Sequence, residues 1–142
     1  MRAGLIDKAG FESFAKEVVM LAKLDHENIV KFKGYVLEPA LLIVMEFVAG
    51  GTLQAFIESA KESGEHPGRR RTMTILEGCA CALDYLHGIS PAPILHRDIK
   101  SENILLTKEL EPRLADLGEA RTLAENQTMT TVGTNGYTAP EV

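Results

Sequence analysis

Cationic excess, long apolar runs and cysteine are all scarce in this chain, and each shortage removes a class of function. Lys and Arg number 15 against 20 Asp and Glu, for a net charge of −5. A chain so charged has no generic attraction for nucleic acid or for an anionic membrane surface. The one basic cluster, Arg69-Arg70-Arg71 beside Gly68, reads as a solvated loop or the start of a helix. No apolar stretch approaches the roughly 18 residues that a membrane span requires. The opening MRAGLIDKAG lacks the apolar centre of a signal peptide. The two cysteines, Cys79 and Cys81, stand two apart on a predicted helix and so point to different faces. Neither a mutual disulfide nor a zinc site is expected from them, and reduced thiols in a cytoplasmic protein are. The sequence shows no internal repeat and no low-complexity tract. What is left, 45% hydrophobic and 25% charged over 142 residues, is ordinary for one soluble globular domain.

Periodicity supplies the elements. Phe14, Val18, Leu21 and Leu24 recur at helical spacing within Phe11 to Lys23 and its flank, with Glu17 on an adjacent face. Ile29, Val30, Phe32 and Tyr35 suggest a strand. Glu38-Pro39 marks a turn, and LLIVMEFV (41–48) a second strand, so the two are expected to pair as an antiparallel hairpin. Gly50-Gly51 ends that strand, and Thr52 is placed to cap a short helix, LQAFIESA. After a polar, Gly- and Pro-bearing connection comes a longer amphipathic helix over Thr72 to His87. Met73, Leu76, Ala80, Leu83 and Leu86 are expected to face inward, and Gly88 to cap it. SPAP (90–93) cannot be helical. Leu110 to Leu114 offers one more strand, and Ala115 to Ala139 is a long Thr- and Gly-rich segment with little periodicity. A stretch of that length without structure of its own is more often functional than accidental.

The densest chemistry lies in ILHRDIKSENILL (94–106). Eight residues hold an imidazole, a guanidinium, a carboxylate, an ammonium and a carboxamide, on His96, Arg97, Asp98, Lys100 and Asn103. Short apolar runs bracket them, the pattern of two buried strands joined by a loop, where chemistry is commonly placed. A lone Asp or Lys there would be an ordinary solvated charge. In this order and spacing they resemble the catalytic loop of protein kinases, H-R-D-x-x-x-x-N, with Ile99 after the aspartate where leucine is usual. Asp116-Leu117-Gly118, eighteen residues after Asp98, resembles the metal-binding D-F-G. Gly133-Thr134-x-x-Tyr137 and Ala139-Pro140-Glu141 resemble the end of the activation segment, and FAKEVVMLAKLDHENIV resembles the αC helix and the turn after it. One triplet alone is weak; four in order make the resemblance specific, and it covers residues 11–142, leaving 1–10 as a segment without motif.

The resemblance implies an α+β, partial protein-kinase-like fold and a serine/threonine kinase using ATP and Mg2+ on a protein substrate. Lys100 together with GTxxY is similar to serine/threonine rather than tyrosine kinases, and the loop is similar to the tyrosine-kinase-like group of them. Asp98 would orient or accept the proton of the attacking hydroxyl. Lys100 would stabilise the transferring phosphoryl oxygens, and Thr134 would hold Asp98 and the substrate-binding loop. Asn103 and Asp116 would hold the magnesium, a hard cation that prefers oxygen ligands. LLIVMEFVAGG is similar to the hinge, with Met45 gating the back pocket, the backbone of Glu46, Phe47 and Val48 on the adenine edge, and Leu105 as the pocket floor. His96 is read as a packing residue against Leu117 and Leu21, not as a base. Arg97 implies control by phosphorylation, with Thr128, Thr130 and Thr131 as the candidate acceptors.

Two parts of the family pattern are missing: the glycine-rich loop and the strand carrying the phosphate-binding lysine. Lys8, in GLIDKAG, does not resemble that lysine and is expected to be a solvated charge, which leaves Glu17 without its partner. The chain also stops just after Ala139-Pro140, so it is expected to be an incomplete domain whose exposed lobe surface invites a protein partner. The competing reading is a non-catalytic kinase-like module that binds proteins.

Overall fold

The α1–β1 connection is stitched across the molecule, and that stitching sets the architecture. The structure is a computed structural model describing residues 8–122 together with Thr134 and Tyr137. In chain order its elements are α1 (Lys8–Leu21), β1 (Phe32–Val36), β2 (Leu42–Met45), α2 (Leu53–Ser63), α3 (Arg69–Gly88) and β3 (Ile94–Leu95). A 3-10 turn (Ser101–Asn103), β4 (Ile104–Leu106), β5 (Pro112–Leu114) and β6 (Arg121–Thr122) follow. Three two-stranded antiparallel sheets, β1-β2, β3-β6 and β4-β5, sit among the helices, so the α+β expectation holds. No helix among the described residues is long and apolar enough to cross a membrane.

The hairpin forms where expected, with Phe32 opposite Met45 and Val36 opposite Leu42. Ile29 and Val30, expected in its first strand, go elsewhere. The Val30 amide donates to the Leu114 carbonyl at 2.9 Å, and the Leu114 amide donates to the Asn28 carbonyl at 2.7 Å. The Asn28 carboxamide, buried, donates to the Pro112 carbonyl at 3.0 Å. The Asp25 amide reaches the Tyr85 hydroxyl on α3, whose ring lies 4.9 Å from the His26 ring. These bonds satisfy backbone groups that burial would otherwise leave unpaired, and they fix the α1–β1 connection against β5 and α3.

Helix α2 starts as predicted: the Thr52 hydroxyl accepts the Ala55 amide at 3.1 Å, satisfying one of the donors a helix start leaves open. Helix α3 differs from expectation in extent and face. It begins at Arg69, so the three arginines lie in its first turn, and it runs through Gly88, with Ile89 as the capping residue. Leu86 is buried and Leu83 half-buried against the core, as expected, but Ile75 and Ala82 complete the buried face, whereas Met73, Leu76 and Ala80 are exposed. The sequence carries two apolar stripes, and Gly78 decides between them. A Cβ there would run into the Pro112 ring and lie 2.8 Å from Asn28 Nδ2, so the helix crosses β5 at Gly78 and presents the Ile75–Ala82–Leu86 face. That face joins Leu21, Ile29, Ile94, Ile104, Leu106, Leu114, Leu117 and Ala120 in one core.

Strands β3 and β4 do flank a polar loop, yet each pairs away from the other. β3 takes β6 and β4 takes β5, so the loop between them is anchored by two separate sheets. A cavity of about 800 Å³ lies between α1, residues 89–94 and residues 117–122. Asp98, Asn103 and Glu46–Val48 are absent from its described walls.

Candidate active site

His96 begins the loop, 2% exposed. Its Nε2 lies 3.0 Å from the Ala115 carbonyl, which can only accept, so Nε2 carries the proton. Its Nδ1 accepts the Asp98 amide at 3.3 Å. Burial lowers its pKa, opposed in part by the Ala115 carbonyl and by the carboxylates of Asp116 and Asp98. The ring is therefore a neutral strut, buried as Leu21 and Leu117 are. Arg97 follows with φ of 70°, a left-handed conformation that non-glycine residues rarely adopt.

Asp98 lies at the centre of a bonded group. Its Oδ1 accepts the Thr134 hydroxyl at 2.6 Å. Its Oδ2 accepts Lys100 Nζ at 2.7 Å and Asn103 Nδ2 at 2.8 Å. Asn103 Nδ2 also reaches the Asp98 carbonyl at 2.9 Å, and Lys100 Nζ donates to Thr134 Oγ1 at 3.0 Å. The hydrogen bonds from Lys100 and then Thr134 hold the Asp98 carboxyl below its usual range, against desolvation; the bond to Asp98 in turn raises Lys100. The structure thus brings Asp98, Lys100, Asn103 and Thr134 into one cluster. A carboxylate offers about four lone-pair sites. Oδ2 uses two on Lys100 and Asn103, while Oδ1 keeps one beside Thr134, making Oδ1 the oxygen open to an incoming hydroxyl.

The metal-side residues meet at one end of the β4-β5 ladder. Ile104 pairs with Leu114, and the Ala115 amide donates to the Asn103 carbonyl at 2.9 Å, setting Asn103 and Asp116 on the same rim. Asn103 spends its amide nitrogen on Asp98, which leaves Oδ1 as the atom that could ligate a metal. Asp116 is exposed, with φ of 59°. Together they present only hard oxygens, which suits Mg2+; two protein ligands leave the rest of its octahedral shell to water and phosphate oxygens. Glu17 faces this rim: a Cβ built on Gly118 would stand 4.0 Å from its Oε1. Among the described residues Glu17 makes no ion pair, and Lys8 pairs instead with Glu12 at 3.7 Å.

The hinge residues line up after β2. The Glu46 amide donates to the Lys31 carbonyl at 2.8 Å, and its carboxylate accepts the Lys31 amide at 2.9 Å. Phe47 is 91% exposed. Gly50 and Gly51 then join the hinge to β4, the Gly50 amide on the Leu106 carbonyl and the Leu106 amide on the Gly51 carbonyl, both 2.8 Å. Leu105, the predicted pocket floor, is half-buried and bridges to Thr52. Thr128, Thr130, Thr131, Gly133 and Ala139-Pro140-Glu141 lie outside the described residues.

Sequence reasoning passed over Ser101 and Gln54. The Ser101 hydroxyl touches Gln54 at 2.6 Å and Tyr137 at 3.0 Å. The available signal was position: Ser101 lies inside the H-R-D-x-x-x-x-N spacing, next to Lys100.

Comparison with known proteins agrees with this geometry. Residues 4–142 match the family model of the protein kinase domain. The chain is 40% identical over 137 residues to a putative cysteine-rich receptor-like protein kinase 31 of Arabidopsis thaliana, covering 93% of this chain and 20% of that protein. It is 42% identical, with the same coverage, to a putative cysteine-rich receptor-like protein kinase 20 from that plant. A G-type lectin S-receptor-like serine/threonine-protein kinase of Arabidopsis thaliana is 38% identical over 93% of this chain and 17% of its own length. The chain thus spans about a fifth of the length of the curated relatives it matches. An H-R-D loop closed on its own aspartate, and a D-L-G turn set on the same rim, agree with a match over almost the whole length: this chain belongs to the protein kinase domain family.

Proposed function

We propose that this chain carries the phosphotransfer centre of a serine/threonine kinase, moving the γ-phosphoryl group of ATP to a Ser or Thr hydroxyl of a protein. The observation that carries this is the Asp98 carboxylate, kept ionised by Lys100, Thr134 and Asn103 with one lone pair of Oδ1 open. In the reaction the acceptor oxygen bonds to the γ-phosphorus while the bond to the bridging β–γ oxygen breaks. ADP leaves, and the hydroxyl proton passes to Asp98 Oδ1 and on to solvent. Asp98 aligns that hydroxyl, and Lys100, beside it, balances negative charge on the equatorial oxygens. Magnesium held by Asn103 and Asp116 would neutralise the phosphates when bound. The backbone of Glu46, Phe47 and Val48, with Leu105 opposite, would hold the adenine. The free thiols of Cys79 and Cys81 suit a reducing, cytoplasmic setting.

A thermal-shift titration of the chain with Mg-ATP, run beside Asp116→Asn and followed by transfer of labelled phosphate to myelin basic protein, tests this. The proposal requires stabilisation by Mg-ATP in the wild type, little in Asp116→Asn, and transfer that Asp98→Asn slows by about a hundredfold or more. An unchanged transition with nucleotide would overturn it. One observation favours a second reading, a non-catalytic module that binds a protein partner: among the described residues Glu17 has no lysine partner. Stabilisation by Mg-ATP without any transfer would select that reading.

A further inference from the structure

Ser101 opens the 3-10 turn between Lys100 and Asn103. Its hydroxyl lies 2.6 Å from Gln54 Oε1, 3.0 Å from the Tyr137 hydroxyl and 3.3 Å from Glu102 Oε2. A hydroxyl has one proton to give. Gln54 spends its amide nitrogen on Glu58 Oε1 at 2.6 Å, one turn along α2, so its carbonyl is the acceptor facing Ser101. The short contact to Gln54 takes the Ser101 proton, and the Tyr137 hydroxyl then donates to the Ser101 oxygen. Donation runs in one direction: Tyr137 to Ser101, Ser101 to Gln54, and Gln54 to Glu58.

This relay links three parts of the chain that lie far apart in sequence. Its far end matters most. The Tyr137 amide donates to the Thr134 carbonyl at 3.0 Å, so Thr134 and Tyr137 are the two ends of one turn. Thr134 is fastened to Asp98 and Lys100, and Tyr137 to Ser101. Helix α2 is itself fixed by the Thr52 cap and by Leu53 and Phe56 against the core. Among the described residues, the hydrogen bonds of the relay run to Thr134 and α2 and not to Glu46–Val48 or Asp116.

We propose that Ser101 and Gln54 are positioning residues for the protein acceptor. They hold Tyr137, and through its turn Thr134, in the register that leaves Asp98 Oδ1 open to an incoming hydroxyl. The proposal rests on the phosphotransfer reading above and adds the side of the site that α2 controls. Because the relay ends on the acceptor side, breaking it weakens use of the acceptor and spares the nucleotide.

The test uses the 142-residue chain, Mg-ATP and myelin basic protein as the acceptor probe. Ser101→Ala and Gln54→Leu are expected to raise KM for the acceptor about tenfold, the loss of one or two neutral hydrogen bonds, with KM for ATP unchanged. Ser101→Thr, which keeps the hydroxyl, restores the wild-type value. In parallel, amide exchange at Tyr137, followed by NMR, accelerates about tenfold in the first two variants and not in Ser101→Thr. An unchanged acceptor KM in Ser101→Ala, or an equal rise in KM for ATP, overturns the assignment. Transfer that Asp98→Asn leaves undiminished, or its absence from the wild type, defeats the phosphotransfer reading instead. Exchange at Tyr137 then decides the relay alone, and an unchanged rate refutes it.

Discussion

His96 joins the two halves of the site through its two ring nitrogens, giving its Nε2 proton to the Ala115 carbonyl and taking the Asp98 amide on Nδ1. One neutral ring thereby spaces the backbone that carries Asp98 from the backbone that leads into Asp116. Protonation would turn the Nδ1 acceptor into a donor and oppose the Asp98 amide.

Stability is therefore expected to depend on pH. The folded pKa of His96 is lowered by burial, so in the acid range the unfolded chain binds the proton more readily than the folded one. The contribution of the neutral ring is complete above the ordinary imidazole value, about 6.5. It is lost as pH falls through that value towards the lower folded one. Urea midpoints measured from pH 7.5 downwards should fall in the wild type. His96→Gln keeps a donor for the Ala115 carbonyl and has no titration, so its midpoint should fall less steeply. Parallel curves for the two proteins would remove His96 from the account.

The Asp98 carboxyl is shifted in the same direction by different means, the hydrogen bonds of Lys100 and Thr134. Its contribution is present above the usual carboxylate pKa and lost only as pH drops through the lowered one. Removing the hydroxyl with Thr134→Ala should raise that pKa and carry the acid limb of kcat/KM to higher pH. Asp98→Asn, with no base at all, should lower kcat by about 10²–10⁴-fold. A Thr134→Ala acid limb that coincides with the wild-type limb would show that Lys100 and Asn103 suffice.

Much of this was legible in the sequence where the cause is local. Thr52 caps α2 because a hydroxyl three residues before an open amide needs nothing from the rest of the fold. The H-R-D spacing likewise gathers Asp98, Lys100 and Asn103 within one loop. Pairings made at a distance were not legible. Ile29 and Val30 carry strand-forming residues, yet Leu114 claims them. The partner of β3 is β6, beyond the D-L-G turn. Ser101 finds Gln54 only once α2 is docked beside the 3-10 turn. For α3, two apolar stripes compete in the sequence, and the choice depends on how closely β5 approaches Gly78.

That choice can be measured. Gly78→Ala places a methyl against the Pro112 ring and Asn28, and overpacking of that kind costs about 1–3 kcal/mol. Leu86→Ala, fully buried, should cost about 2–5 kcal/mol. Leu76→Gln, at 56% exposure, should stay within about 0.5 kcal/mol of wild type. Chemical denaturation of the three variants ranks them. A loss at Leu76 equal to that at Leu86 would restore the face that periodicity alone suggests.

Gly50 and Gly51 separate packing from backbone conformation at the hinge. A Cβ on Gly50 would collide with the carbonyl oxygens of Leu106 and Thr107, whereas one on Gly51 would meet nothing within 4 Å. Gly51 has φ of 78°, so an alanine there costs about 1–2 kcal/mol of backbone strain without pressing on β4. Carbonyl oxygens of a paired strand cannot rotate away as a side-chain tip can. Gly50→Ala must therefore push the hinge from β4, and with it Glu46–Val48, the proposed adenine contacts, away from Leu105. Both variants should lower the urea midpoint, but only Gly50→Ala should also weaken Mg-ATP binding by calorimetry. Equal nucleotide affinity in the two would mean that the hinge and β4 move together as one body, or that Glu46–Val48 do not hold the nucleotide.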